Sequence, residues 1–356
     1  MGSSEGEGPA AGQTVEVAHE ALIRRWERLR GWINEDIEFI LWRQRIETLV
    51  EQWEQHERDA GCLLRGSPLS EAERWLGARP EDLTTATNQF IQESIALRRK
   101  ESEQQNLLER TEQEFQLASN IQQALFPKDF PKCPFISVSA VNYQCGSVGG
   151  DYYDVLPLNE KRIAFVLADV SGKGLGAAML TPFLQGALIG LTWGTDPAHL
   201  FGHVNRFLCD HVYGQRYATM FFAILEDSGK LEYINAGLQS PILVRKGVAE
   251  EAFIHGTFPV GLVPEAEFTT RTVQLQPNDT LVIFSDGVTE ALDAQEELYG
   301  VSRLQGVLQG KADLPLNEIQ QAVIDSVTSF SCGRQYDDLT LLLVRYRGVG
   351  SRAVRH

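Results

Sequence analysis

Beyond Pro127 the chain breaks into short β-branched or aromatic runs, FISVSAVNY, RIAFVLADV, ATMFFAIL, LEYINAG, PILVRKG, FTTRTVQL, DTLVIFSDG and LTLLLVRY, separated by Gly, Asn and Asp. Runs of this length between turn residues are strands. Helical patterns interrupt them at 175–193, 197–212 and 301–330. Strands in hairpin-like succession, with helices grouped between them, predict an α+β sandwich and argue against alternating βαβ units. The stretch GAAMLTPFLQGALIGLTW holds Pro182, Gln185 and two threonines. It falls short of a membrane span and is predicted as a buried helix.

The first half has another texture. Residues 15–95 carry Trp26, Trp32, Trp42, Trp53 and Trp75 among many Glu, Arg and Gln. Leu22, Trp26, Leu29 and Ile33 fall at helical spacing, as do Phe39, Trp42, Ile46, Leu49 and Trp53, so amphipathic helices with a tryptophan core are predicted. RGSPLSEAERWL supplies a break, with Ser70 and Glu73 as a capping pair. Residues 95–125 hold no proline or glycine and an apolar stripe at Leu107, Leu108, Phe115, Ala118, Ile121 and Leu125. This predicts a long helix ending at Pro127 that joins two domains, its stripe suited to a homodimer. The expected organisation is a flexible N-terminus 1–14, a helical domain 15–95, a connecting regulatory helix 96–126, a β-rich domain 127–347 and a flexible C-terminus 348–356.

The 356 residues include 48 acids against 32 bases, a net charge of −16. Neither nucleic acid nor an anionic membrane is the expected partner, whereas cations and basic protein surfaces are favoured. Cys62, Cys133, Cys145, Cys209 and Cys332 are scattered without a CxxC pair. They predict reduced thiols in a cytoplasmic protein, with no zinc site and no disulfide framework. Arg216 follows Cys209 one residue too late for the C-x5-R loop of cysteine phosphatases. The opening MGSSEGEGPAAGQT lacks the apolar core of a signal peptide.

Four places share one grammar: an aspartate at the end of an apolar strand, beside glycine or another acid. They are SVGGDYYDVL with Asp151, FVLADVSGKG with Asp169, LVIFSDGVTE with Asp286, and QYDDLTLLLV with Asp337 and Asp338. A strand end fixes a carboxylate, and the glycine lets the backbone turn away. One SDG alone is ordinarily a turn. Four such sites converging would repel unless a cation neutralised them, and oxygen donors without Cys or His point to magnesium or manganese. Two such ions suit attack of water on phosphorus. ADVSGKGLGAA is not a phosphate loop, because Lys173 precedes Gly174 and not Ser or Thr, and GKGLGA lacks the dinucleotide spacing. The G-x-S-x-G string GSSEG at residues 2–6 follows no apolar strand, so no nucleophile elbow is predicted either. Gly172, Gly174 and Gly176 are then expected to turn and pack the chain behind Asp169.

In their order and spacing, VGGDYYDV, LADVSGKGLGAA, GKLEYINAG, TLVIFSDGVTEA and YDDLTLLLVRY closely resemble the PPM-type (protein phosphatase 2C-like) serine/threonine phosphatases. The branch is the bacterial one that includes sporulation stage II protein E and the stress-response phosphatases. The resemblance covers about residues 112–347, with FQLASNIQQALFPKDFP similar to the helix leading into such domains. It implies an α-β-β-α sandwich of two antiparallel sheets flanked by helices, with Mn2+ or Mg2+ bound at one end as two ions and room for a third. It further implies one metal held by Asp169, Asp286 and Asp337 or Asp338, and another by the Asp169 carboxylate and the Val170 carbonyl. Asp151 would reach metal through water; Asp337 is preferred over Asp338, which would serve a third ion or back the others.

Two departures stand out. DVSGKG has no histidine after the aspartate, which leaves protonation of the leaving group to water or another donor, and NAGL puts Leu238 where the branch reads NAGH, marking altered substrate contacts. VEVAHEALIRRWERLRGWINED with LLRGSPLSEAERWL resembles the helical segment that follows the nucleotide-binding module of STAND-type signalling ATPases. This implies a C-terminal piece of a larger sensor, in which His19 and Glu20 make structural contacts. The function implied is a metal-dependent phosphatase acting on phosphoserine or phosphothreonine of a protein such as an anti-sigma-factor antagonist, regulated through the helical half. The alternative is a degenerate scaffold or partner-switching module, against which the complete acidic set argues.

Overall fold

The computed structural model describes residues 27–190, 194, 196–212 and 216–348. The expectations for Leu22, Trp26, His19, Glu20 and both termini lie outside these residues. The chain divides into two compact units, Met1–Arg110 and Thr111–His356.

The first unit is helical. Helices α1 (Glu27–Gln55) and α2 (Gly66–Ala78), together with the first part of α3 (Thr85–Leu125), bury Phe39, Trp42, Ile46, Val50, Trp53, Trp75 and Phe90 in one core. Val50 takes the place predicted for Leu49, which stays 37% exposed. The Ser70–Glu73 pair is not a cap: α2 begins at Gly66, and Ser70 donates to the Gly66 carbonyl from inside the helix. Pro68 fits the first turn, where no backbone donor is needed, so the helix starts ahead of Ser70.

Among its described residues the second unit has ten strands in two antiparallel sheets. One has the order β1 (Ile136–Tyr143), β10 (Leu339–Tyr346), β9 (Thr280–Phe284), β6 (Ile242–Arg245), β7 (Val248–Glu251). The other has β2 (Asp151–Asn159), β3 (Arg162–Val170), β4 (Ala218–Glu226), β5 (Lys230–Ala236), β8 (Arg271–Gln274). Alternation along each strand assigns its faces. Ile163, Phe165 and Leu167 of β3 meet Leu281 and Ile283 of β9 and Leu342 and Val344 of β10 between the sheets. Ala164, Val166 and Ala168 point the other way, under α4 (Leu175–Ile189) and α5 (Pro197–Val212). On the opposite side Val282, Phe284, Leu341 and Leu343 lie beneath α7 (Gly300–Leu308) and α8 (Leu316–Phe330); the single turn α6 (Asp286–Thr289) precedes these two helices. Both faces of the central strands are covered, which is why their sequences read as unbroken apolar runs.

The four layers are the predicted α-β-β-α sandwich. Three details differ from the prediction. The 301–330 pattern is two helices, because Gly310 takes φ +76° and Pro315 precedes the second. Helix α4 buries one face only, through Ala177, Ala178, Thr181, Leu184 and Leu188, and leaves Met179 65% exposed. β7 went unpredicted because VAEE is an edge strand with little apolar content. Among the described residues no helix is long and apolar enough to cross a membrane.

Candidate active site

The same alternation that builds the inter-sheet core continues past its end. Asp151 faces Asp169 directly in the β2–β3 register, both on the parity of the core residues Tyr153 and Leu167. Thr340 and Asp338 continue the inward parity of Leu342 on β10, and Ser285 that of Ile283 on β9. Polar groups from both sheets therefore meet at one rim of the sandwich. The Thr340 hydroxyl donates to Asp151 Oδ2 and accepts from Asn142 Nδ2 at 2.7 Å. Ser285 Oγ accepts from the Thr340 amide at 2.9 Å and donates to the Asp338 carbonyl at 3.1 Å.

The two last acids separate in role. Asp338 is buried, and its carboxylate accepts from the Cys145 amide at 2.8 Å and the Gly150 amide at 2.7 Å, tying down the loop ahead of Asp151. Asp337 is 44% exposed and pairs with Lys173 Nζ at 3.0 Å, while Lys173 also donates to the Tyr336 carbonyl. Gln122 of α3 reaches the same loop: its amide donates to the Gly149 carbonyl at 2.6 Å and accepts from the Gly149 amide at 3.0 Å.

The glycine-rich loop after Asp169 is clamped to the start of β4. The Ser171 amide donates to the Tyr217 carbonyl at 2.8 Å, and the Tyr217 amide to Ser171 Oγ at 2.9 Å. Half-buried Arg216 lays its guanidinium across the loop, donating from Nη1 to the Ser171 carbonyl at 2.9 Å. A Cβ at Gly172 would lie 2.6 Å from Nη1, and one at Gly176 2.7 Å from Nη2. Gly172 also takes φ +84°. Gly172 and Gly176 leave room for an arginine.

Asp169, Asp337, Asp338, Gly150 and Lys173 line a 340 Å³ cleft at this rim. Burial, followed by the charge of Asp286 and then of Asp337 and Asp338, pushes Asp169 up to about 7. Burial and the charge of Asp337 push Asp286 up to about 6. Asp151 is raised well above the usual carboxylate range by burial and by Asp169, against the hydrogen bond from Thr340. Buried carboxylates set this close raise one another's affinity for a proton. Among the described residues no three acid, cysteine or histidine side chains close on one point. Three of the carboxylates meet protein donors: Asp338 two amides, Asp337 Lys173 and Asp151 Thr340. The donor set still fits a hard divalent cation, being carboxylate and carbonyl oxygen throughout. Gly150 keeps clear the space beside two of these oxygens, since a Cβ there would sit 2.7 Å from the Val170 carbonyl and 3.6 Å from Asp169 Oδ1.

All six predicted site residues, Asp151, Asp169, Val170, Asp286, Asp337 and Asp338, fall in this one region. Leu238 is buried in the inter-sheet core. Gln122, Thr340 and Ser285 went unnoticed in the sequence, and Arg216 was met there only as a misfit to the C-x5-R loop. Only Arg216 left a signal, the need for small residues at 172 and 176.

Residues 159–347 match the family described as stage II sporulation protein E, and residues 4–61 match novel STAND NTPase 1. Protein IcfG of Synechocystis sp. is 28% identical over 65% of the chain, which spans 41% of that relative's length. Phosphoserine phosphatase RsbU of Bacillus subtilis is 24% identical over 75% of the chain and 81% of the relative. Among solved structures, the SiaA-PP2C domain of Pseudomonas aeruginosa superposes with a TM-score of 0.60 at 18% identity, covering 67% of this chain and 98% of that one, a likeness of fold.

Proposed function

The chain belongs to the stage II sporulation protein E family, and on that premise we propose that it is a metal-dependent phosphatase hydrolysing phosphoserine or phosphothreonine in a partner protein. The observation that carries this reading is the gathering of Asp151, Asp169, Asp286, Asp337 and Asp338 at one rim, with raised proton affinity in Asp169 and Asp286 and Lys173 as the cation against them.

Asp169, Asp286, Asp337 and the Val170 carbonyl would hold two hard cations, Mn2+ or Mg2+, which when bound supply a Lewis acid for water and for the phosphoryl oxygens. Asp151 supports Asp169 from across the β2–β3 ladder and is itself held by Thr340. Asp338 acts by positioning, through its bonds to the amides of Cys145 and Gly150. Lys173, anchored on Asp337 with its end toward solvent, is placed to meet an incoming phosphate dianion. Among the described residues the cleft lining contains no histidine, and the leaving oxygen takes its proton from water or another donor.

Three aspects of the setting follow from the same reading. The substrate is a phosphorylated protein of the anti-sigma-factor-antagonist kind, in keeping with the likeness to RsbU. Control comes from the helical N-terminal region through α3, whose Gln122 holds the Gly149 backbone beside the acids. Five free cysteines suit the reducing cytoplasm. The test is hydrolysis of p-nitrophenyl phosphate with Mn2+, with Mg2+ and with EDTA, by the full chain and by Asp169→Asn and Asp286→Asn. Turnover that needs metal and is lost in both variants is expected; turnover unaffected by EDTA would sink the proposal.

A further inference from the structure

A second and larger depression, 740 Å³, opens beside the carboxylate cleft. Its apolar wall is formed by Leu292 and Leu298 from the turn after α6 and by Ile324 and Val327 from α8, while Glu290, Asp325 and Arg334 contribute charge to the lining. Lys173 and Asp337 line this groove and the cleft alike, so the two are continuous. At its edges Leu298 is 53% exposed and Tyr336 43% exposed. The turn that presents Leu298 is rigid: the Asp293 carboxylate accepts from the amides of Gln295 and Glu297, and Leu292 bridges Leu298. Apolar side chains held out beside a polar cleft mark a contact surface. The volume lies within the range that encloses a drug-sized ligand, enough for a few residues of extended chain.

Resting on the phosphatase reading, we infer that this groove docks the segment of the substrate protein adjoining its phosphoresidue, and that it selects apolar side chains there. Continuity fixes the occupant. A phosphoryl group seated between Lys173 and the aspartates leaves the adjoining chain at the groove's open end, against Tyr336 and then between Leu298 and Ile324. Specificity thereby sits on surfaces that take no part in bond breaking, and a small phosphate ester, which has no flanking chain, bypasses it.

The experiment uses the full chain and two fluorescein-labelled phosphoserine peptides, one with leucines and one with glycines flanking the phosphoserine. Anisotropy reads binding, and p-nitrophenyl phosphate reads the cleft. Wild type should bind the leucine peptide about tenfold more tightly than the glycine peptide, the scale expected for burying one such side chain. Leu298→Asp should erase that preference, and Leu298→Ala should reduce it, while p-nitrophenyl phosphate turnover changes less than twofold in both. Equal binding of the two peptides by wild type, or an unchanged preference in Leu298→Asp, would overturn the inference. A leucine preference without any p-nitrophenyl phosphate turnover would uphold the groove and overturn the phosphatase reading, which keeps the two failures apart.

Discussion

Arg216 shows how a residue outside the acidic set governs it. Its guanidinium fills the space left by Gly172 and Gly176 and holds the loop that leaves Asp169 and Val170. Groups that orient metal ligands commonly contribute about 10–100-fold to metal affinity or activity. Arg216→Ala should therefore lower Mn2+ affinity by at least about tenfold in calorimetric titration. Arg216→Lys should recover only part of this, because an ammonium lacks the planar fork that spans the loop. Gly150→Ala tests the space beside the Val170 carbonyl: a Cβ placed 2.7 Å from a backbone oxygen forces a shift. Overpacking of this kind costs about 1–3 kcal/mol, so a melting temperature lowered by a few degrees together with lost Mn2+ binding is expected. Unchanged metal affinity in Gly150→Ala would show that the Val170 carbonyl is not a donor.

At the scale of elements, the link of interest is α3 to the loop before β2. Gln122 satisfies both backbone groups of Gly149 at once. Gln122→Ala would leave them buried without partners, a cost of about 1–3 kcal/mol that the loop can avoid by moving away from Asp151. Turnover should fall several-fold while far-UV circular dichroism stays constant, and Gln122→Glu, which can accept but not donate, should fall between. The elements themselves were readable to different degrees for physical reasons. Central strands such as RIAFVLADV were legible because both faces are buried, so apolar content survives at every position. Asp169 was legible because a charge at the end of such a run stands out. VAEE at the edge and the break between α7 and α8 were not, since one carries no apolar signal and the other, marked by Gly310 and Pro315, lies within apolar spacing that runs on from one helix to the next. Bonds from Gln122 and Arg216 depend on where the chain returns in space, which no local pattern encodes.

Among the described residues the molecule carries separate cores, one around Trp42, Trp53 and Trp75 in the first unit and three in the second. Trp53→Ala removes a fully buried side chain, a loss of about 3–5 kcal/mol. Scanning calorimetry should show one transition moved down by this change and another moved up by Mn2+, as mass action requires for a ligand of the native state. A single transition responding to both would show that the units melt together. The facing of Asp151 and Asp169 across the β2–β3 ladder has a consequence for how such a gene can vary. Because a strand alternates its faces, one codon inserted within β3 would swing Asp169 under the helices and bring an alanine or valine to the cleft. Two codons would restore the face but carry the acid about 7 Å along the strand, past its partner. Lineages of this chain are thus free to lengthen their loops but not this hairpin's arms, and spacing there should be inherited more strictly than residue identity.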